Sequence, residues 1–156
     1  MSSIEARLKE LNIELPEVPK PLGRFAHGVQ HGNLLFLSGQ GPLGRDGQLA
    51  KGKVGAGVSV TEAQGHARDV GLVLVSAMRQ VLGSLDRVDR IVKVLGMVNA
   101  TPEFEEHPKV INGCSNLFHE IFEDKGEHAR SAIGVASLPN GITVEVEAII
   151  AVKPGP

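Results

Sequence analysis

Charged side chains in two neighbouring segments have the chemistry that a small-molecule site requires. Arg130 begins a run of short side chains, and Glu145 and Glu147 follow the turn signal Pro139-Asn140-Gly141. A guanidinium can hold a carboxylate through two parallel hydrogen bonds, and a glutamate can take up and return a proton. These residue types therefore raise the hypothesis that Arg130 and Glu145 act on one small ligand.

The alternation of side chains along the two strands predicts which sheet face each charge occupies. Successive residues of a strand point to opposite faces. In the first strand, 130–138, we expect Ile133 and Val135 to face the apolar core. The opposite, open face is then expected to carry the arginine and the smallest residues: Arg130, Ala132, Gly134 and Ala136. In the second strand, 142–152, the core face is expected to consist of Val144, Val146, Ala148 and Ile150, which directs Glu145 and Glu147 outward.

The alternative is that these charges lie on a solvated sheet face without a function. Exposed strands usually carry larger β-formers, whereas residues as small as Ala132 and Gly134 suit the close approach of another surface, so we expect subunit packing there. If the two strands were adjacent and antiparallel, Arg130 and Glu145 would be offset by about five or six residues, or roughly 15–20 Å. A shared site would then take Arg130 from one subunit and Glu145 from its neighbour.

Hydrophobic periodicity and turn signals predict the elements that position these residues. Ser2 and Glu5 form a capping box for a helix over 3–11, Thr61 and Gln64 form one for a helix that ends before Gly83, and Pro108 can open a third helix. Strands are predicted over the ranges 25–30, 33–38, 88–98, 130–138 and 142–152, with an irregular loop over 39–57. The order predicts an α+β domain in which two main helices cover one sheet face.

Composition bounds the classes of function. The chain has 156 residues and a net charge of −2, and its only aromatic residues are five Phe. One domain is expected, and neither a phosphate-tracking surface nor a stacking platform for bases is available, so nucleic acid is not an expected partner. The absence of long apolar runs and of a secretory pattern predicts a cytoplasmic protein without membrane contact.

Other motifs with known chemistry fail on their context. The segment Gly39–Gly44 has the spacing of a dinucleotide fingerprint, but Pro42 and the following turn predict a loop where a helix must begin. The histidines lack metal-ligand spacing. The single cysteine, Cys114, lies in a helical pattern and is expected to be inert. No cofactor or metal is therefore expected.

Several motifs together resemble the RidA (YjgF) family of reactive-intermediate deaminases, also labelled L-PSP endoribonucleases. They are Gly23-Arg-Phe25, Ser38-Gly39-Gln40-Gly41-Pro42, Arg130-Ser131 and Glu145-Val-Glu147-Ala148. The resemblance covers about 22–152 and implies a chorismate-mutase-like mixed sheet and a homotrimer with a barrel-like centre and three clefts between subunits. In that fold another strand can separate the last two. Residues 1–21 are then an N-terminal helix and Pro-rich linker ahead of a RidA-like domain, 22–156.

The resemblance also implies a role for each matching residue. Arg130 would hold a substrate carboxylate, and Glu145 would handle the water that attacks a 2-imino acid supplied by a PLP-dependent enzyme, releasing a 2-oxo acid and ammonia. The ligand-binding positions would be the ring of Phe25, the backbones of Ser38 and Gly39, and the backbone amide of Ala132.

Two departures from the family pattern leave alternatives open. Phe25 stands where the family typically has tyrosine, and Ala132 stands where many members have cysteine. The family's asparagine has no confident match. A trimeric protein that binds 2-oxo acids without turnover is therefore the second hypothesis. An endoribonuclease is the third, and the near-neutral charge opposes it.

Overall fold

The computed structural model describes residues 3–155. Its helices are α1 (Ile4–Glu10), α2 (Val60–Leu82) and α3 (His107–Phe122). Its strands are β1 (Gly28–His31), β2 (Leu34–Gln40), β3 (Lys53–Val54), β4 (Gly57–Val58), β5 (Val88–Asn99), β6 (Ala129–Val135) and β7 (Val144–Val152). Within these residues, no helix combines the length and the apolar character that a membrane crossing needs.

One mixed sheet of five strands, in the order β1-β2-β7-β5-β6, organises the fold. All neighbours are antiparallel except β5 and β6, which are parallel. The last two strands are thus separated by β5, as the family resemblance allowed. The range 39–57 is more ordered than expected, because Lys53–Val54 pairs in parallel with Gly57–Val58. The predicted α+β class is confirmed.

The helices begin at different caps from those predicted. Ser59 has an extended backbone, and its side chain accepts a hydrogen bond from the Glu62 amide, so α2 begins before the expected cap Thr61. Gly83 ends this helix in the left-handed conformation, with φ of 79°. At α1 the side chain of Ser3 accepts from the Ala6 amide. The capping box predicted for Ser2 and Glu5 cannot be compared with the structure, because Ser2 lies outside the described residues.

The hydrophobic core lies between the sheet and the two long helices, which cover one face as predicted. α2 packs on β1, β2 and β7, and α3 packs on β5 and β6. A Cβ on Gly113 of α3 would lie 2.9 Å from the carbonyl carbon of Gln64, so the two helices approach each other closely at this glycine. Leu8 of α1 belongs to the same core.

The side chains of β6 alternate in the opposite sense from the prediction. Arg130 is in register with Val94 and, through it, with Ala148, and both of these residues are buried on the helix side. Ile133, expected in the core, is in register with Met97 and Glu145 on the open face and is 44% exposed. The expectation that Arg130 shares the face of Glu145 is therefore wrong.

The small residues of β6 accommodate a helix of the same chain. A Cβ on Gly134 would lie 3.1 Å from Cδ2 of His107, at the start of α3. Ala132, on the same face, packs against the core. α3 therefore packs on part of this face, while Gly134 and Ala136 stay exposed. The approach of another subunit to this face stays a prediction.

Candidate functional site

Arg130 is held by polar side chains that lie on α3 and just before β6. Its Nη1 donates to Oδ1 of Asn112 at 2.9 Å and to Oγ of Ser115 at 3.1 Å. Ser115 Oγ lies 2.9 Å from Nε2 of His128, whose Nδ1 lies 2.6 Å from the carbonyl oxygen of Gly126. We call Arg130, Asn112, Ser115 and His128 the Arg130 cluster.

Sequence reasoning missed three members of this cluster. Asn112 and Ser115 are three residues apart and thus share one face of α3, next to the buried Ile111 and Cys114. A polar pair at this spacing beside buried positions was the available signal. This spacing did not identify Arg130 as the partner of the polar pair, because only the fold places α3 over Arg130.

Burial sets the protonation of the two titratable groups near Arg130. Desolvation lowers the pKa of His128, and the positive charge of Arg130 lowers it further, against the opposing effects of the Gly126 carbonyl and Glu127. His128 is therefore neutral at pH 7. Burial raises the pKa of the Cys114 thiol to about 12, so the thiol is protonated at pH 7.

Glu145 lies at the other end of the candidate site, across the backbone of Gly39. A Cβ at Gly39 would lie 3.0 Å from Cδ and 3.1 Å from Cγ of Glu145, so the Glu145 side chain occupies the space that a larger residue at position 39 would fill. Ser38 donates from Oγ to the Ala26 carbonyl at 2.6 Å, which ties the segment that contains Phe25 to the end of β2. We call Glu145, Gly39, Ser38 and Phe25 the Glu145 cluster.

The environment of Glu145 favours its protonated form. Desolvation raises the pKa of its carboxyl, and the like charge of Glu147 raises it further. Glu147 is two residues away on the same strand and therefore on the same face. A carboxylate with a raised pKa is a stronger base once ionised, which suits a group that must take a proton from water.

The two clusters do not meet within one chain. Arg130 is in register with Ala148, three residues from Glu145, and β5 lies between the two strands. Three residues along a strand and two strand spacings each amount to about 10 Å, so the two backbones are roughly 14 Å apart. The predicted offset of five or six residues was too large because it assumed adjacent strands. Their side chains also leave opposite faces of the sheet.

The open face of the sheet is apolar where it surrounds Glu145. Phe36 and Ile133 are each 44% exposed, although both are large apolar residues of the central sheet. By register and alternation, the apolar side chains of this open face include Val29, Phe36, Leu95, Met97, Ile133 and Ile149. Glu145, Glu147 and Lys93 lie among these apolar side chains on the same face. Several exposed large apolar side chains on one sheet face are typical of an interaction site.

Two other candidate chemistries can be compared with the structure. The Gly39–Gly44 segment leaves β2 and enters a loop, and the next helix begins only at Val60. It therefore lacks the helix N-terminus on which a dinucleotide pyrophosphate sits. Among residues 3–155, no group of three His, Cys, Asp or Glu side chains is arranged to hold a metal ion.

Comparison with known proteins agrees with the fold. The profile of the family described as "YjgF/chorismate_mutase-like, putative endoribonuclease" matches residues 5–146. The chain belongs to this YjgF/RidA family. The sequence-based recognition is therefore confirmed, and so is the chorismate-mutase-like fold.

Similar proteins include one whose name states no activity and one that is named as an enzyme. Protein TCP17 of Trypanosoma cruzi is 43% identical over 94% of this chain and 92% of its own length. A 2-iminobutanoate/2-iminopropanoate deaminase of Dermatophagoides farinae is 29% identical over 90% of this chain and 95% of its own. A crystal structure from Shewanella oneidensis MR-1, described as a "putative endoribonuclease", has a TM-score of 0.92, 31% identity, and coverage of 97% of this chain and all of its own.

Proposed function

We propose that this protein hydrolyses 2-imino acids to 2-oxo acids and ammonia at clefts between the subunits of a homotrimer. The observation that carries this proposal is the separation of Arg130 from Glu145 onto opposite faces of one sheet, each with its own supporting residues. Each chain then supplies the anchor of one site and the base of another. A related mite protein is named as a deaminase of this type, which supports the choice of substrate class.

The Arg130 cluster suits the carboxylate of such a substrate. The two hydrogen bonds to Asn112 and Ser115 both use Nη1, and the edge formed by Nη2 and Nε is the one that suits a bidentate pair with a carboxylate. The Ala132 backbone amide lies two residues along the same face and would donate beside the carboxylate. The substrate would thereby be oriented with its imine carbon toward the neighbouring subunit.

Glu145 would perform the proton transfers. Its carboxylate accepts a proton from water as the water oxygen bonds to C2 of the protonated imine, which gives a carbinolamine. Glu145 then returns that proton to the nitrogen, the C2–N bond breaks, and the hydroxyl proton passes to the Glu145 carboxylate and from there to solvent as the carbonyl forms. The products are a 2-oxo acid and ammonia, and no redox cofactor is required by this balance.

A homotrimer would also explain the apolar open face of the sheet. Phe36 and Ile133 would become buried against a second chain, and the Glu145 cluster would face the interface rather than bulk water. Exclusion of water from such an interface strengthens the electrostatic interactions with the ligand.

A coupled assay tests the activity. With a PLP-dependent dehydratase as the source of the imine, the purified protein should accelerate the release of 2-oxo acid and ammonia. Arg130→Ala and Glu145→Gln should each reduce this acceleration by roughly 10²–10⁴-fold. Acceleration that survives both substitutions would contradict the assignment of these residues.

A complementation experiment tests the shared site. Arg130→Ala and Glu145→Gln chains are each inactive, but a mixed trimer contains one interface with Arg130 from one chain and Glu145 from the other. Random 1:1 mixing by co-expression should restore about a quarter of the wild-type sites. Mixed oligomers without any recovered activity would contradict assembly of the site from two chains.

Binding without turnover is the second candidate, and Phe25 favours it. Phe25 is 56% exposed in the segment tied to Ser38, and its ring has no hydroxyl to donate a hydrogen bond to the ligand. Calorimetric binding of 2-oxobutyrate without deaminase activity on any imine tested would support this function. We do not propose nuclease activity, since a net charge of −2 provides no surface that follows phosphates.

A further inference from the structure

The hydrogen bonds around Arg130 have a defined direction. The Gly126 carbonyl can only accept, so the His128 Nδ1 that lies 2.6 Å from it must carry a proton. In a neutral imidazole the other nitrogen, Nε2, is then an acceptor, and Ser115 must donate its hydroxyl proton to it across 2.9 Å. The lone pairs of Ser115 Oγ are thereby available to accept from Arg130 Nη1.

We propose that Ser115 and His128 are positioning residues that hold Arg130 in the orientation in which it presents its Nη2–Nε edge to the ligand carboxylate. This inference rests on the proposed function, because it assigns Arg130 to the ligand. The chain of hydrogen bonds runs from the Gly126 carbonyl through His128 and Ser115 to the guanidinium of Arg130. It connects the 3-10 turn that follows α3, Glu123–Gly126, to the anchor of the site.

The packing around His128 supports a fixed chain of contacts. The imidazole meets the buried ring of Phe118 edge-on, with centroids 5.9 Å apart and an interplanar angle of 79°. Burial and Arg130 keep the ring neutral, which is the state that an accepting Nε2 requires. An unsupported arginine side chain is free to rotate about several bonds, and a ligand would have to immobilise it on binding.

Two substitutions separate this role from general packing. His128→Phe retains a ring against Phe118 and removes the nitrogen that accepts from Ser115, whereas Ser115→Ala removes the hydroxyl itself. Each should weaken 2-oxobutyrate binding by about 10-fold, the usual effect of losing a hydrogen bond to a charged group. Because the two residues act in series, the double variant should be no weaker than either single variant.

Matched controls and a rescue variant complete the series. Ser115→Thr keeps the hydroxyl and should retain most of the affinity. His119→Phe changes an exposed histidine of the same helix, and Ser131→Ala changes the exposed serine next to Arg130. Neither control should alter binding. In an Arg130→Ala background, Ser115→Ala and His128→Phe should have no further effect on affinity.

Nitrogen-15 NMR of the Arg130 guanidinium in the ligand-free oligomer gives a readout that does not depend on the proposed function. The wild type should give separate, slowly exchanging Nη signals, and these should merge in Ser115→Ala and His128→Phe but not in the controls. Unchanged Nη signals, or unchanged affinity, in both variants would overturn the proposal. Merging in the variants of a protein that binds no 2-oxo acid would support the positioning role and instead contradict the proposed function.

Discussion

At the scale of single residues, the carboxyl of Glu145, the proposed base, lies where its negative charge is unfavourable. Its carboxyl is half-buried against Gly39 and lies on the same face as Glu147, and both features raise its pKa above the ordinary 4.5. The folded state therefore binds this proton more tightly than the unfolded state does. The resulting stabilisation is fully present below pH 4.5 and is lost as the pH rises through the folded pKa.

Glu145→Gln is accordingly expected to stabilise the protein while it removes activity. At pH 7 the substitution removes a partly desolvated charge and its repulsion by Glu147. Because the group is partly exposed, the gain should be within about 0.5 kcal/mol, or an increase in Tm of about 1–2 °C. Calorimetry at pH 7 and pH 4 checks this, since the difference from wild type should shrink at the lower pH. A lower Tm at pH 7 would contradict the unfavourable charge.

The titration of His128 reports its electrostatic environment. Burial is the main reason for its lowered pKa, and the charged groups that act on it are Arg130 and Glu127. Arg130→Gln removes the cation that opposes protonation, so the pKa of His128 should rise toward its ordinary 6.5. An NMR titration of the imidazole carbons measures the change. An unchanged or lower pKa would contradict the contact with Arg130.

The same group makes stability depend on pH. The folded pKa is lower than the unfolded one, so the unfolded state binds this proton first as the pH falls below 6.5. The contribution of the neutral imidazole to the free energy of unfolding therefore decreases as the pH falls from 6.5, and it is fully lost below the folded pKa. In His128→Phe this part of the pH dependence should disappear from unfolding curves measured between pH 7 and pH 5.

At the scale of elements, the close approach of α2 and α3 determines which of their glycines can be replaced by a larger residue. A Cβ on Gly113 would lie 2.9 Å from the carbonyl carbon of Gln64 and 3.1 Å from the amide nitrogen of Arg68. Both are backbone atoms, so the helices would have to separate. Gly65, in the same pair of helices, has open space around its Cβ position.

This contrast gives a matched pair of substitutions. Gly113→Ala should destabilise the protein by roughly 1–3 kcal/mol through overpacking, whereas Gly65→Ala should stabilise it by about 0.5–1 kcal/mol because alanine is the better helix former. Chemical denaturation of both variants measures the difference. Equal effects of the two substitutions would contradict the packing described here.

At the scale of the whole molecule, the open sheet face is the surface that a second chain would cover. If the homotrimer forms through this face, Ile133→Arg places a charge in an apolar interface and should yield monomers. The trimer has three times the 16.5-kDa chain mass, so light scattering coupled to size-exclusion chromatography distinguishes the two states. Asp89→Arg changes an exposed position near the far end of β5 and should leave the mass unchanged. A monomeric wild type would contradict the proposed shared site.

The sequence predicted the element types and missed the face of one strand. The apolar spacing in α2 and α3 and the alternation in β7 indicated correct elements, because each of these buries one side against the core. In β6 the same reasoning failed. Apolar Ile133 lies on the open face and the small Gly134 lies beneath His107, so residue size there reflects the nearness of α3 rather than burial in the core.

The candidate site was predicted in part for the same reason. Arg130 and Glu145 carry chemistry that a motif displays directly. Asn112, Ser115 and His128 are ordinary polar residues until a fold brings them to the guanidinium. The spacing of Asn112 and Ser115 predicts that they share a helix face, but it does not predict that this face contacts Arg130.

The sequence by itself determined the family, the α+β class and the two ionic residues of the proposed site, because local spacing and residue type encode these properties. Only the tertiary structure decided that Arg130 and Glu145 leave opposite faces of the sheet and that α3 supports the guanidinium. Those facts depend on strand order and on which helix covers which strand. Both are set by packing between residues that lie far apart in the chain.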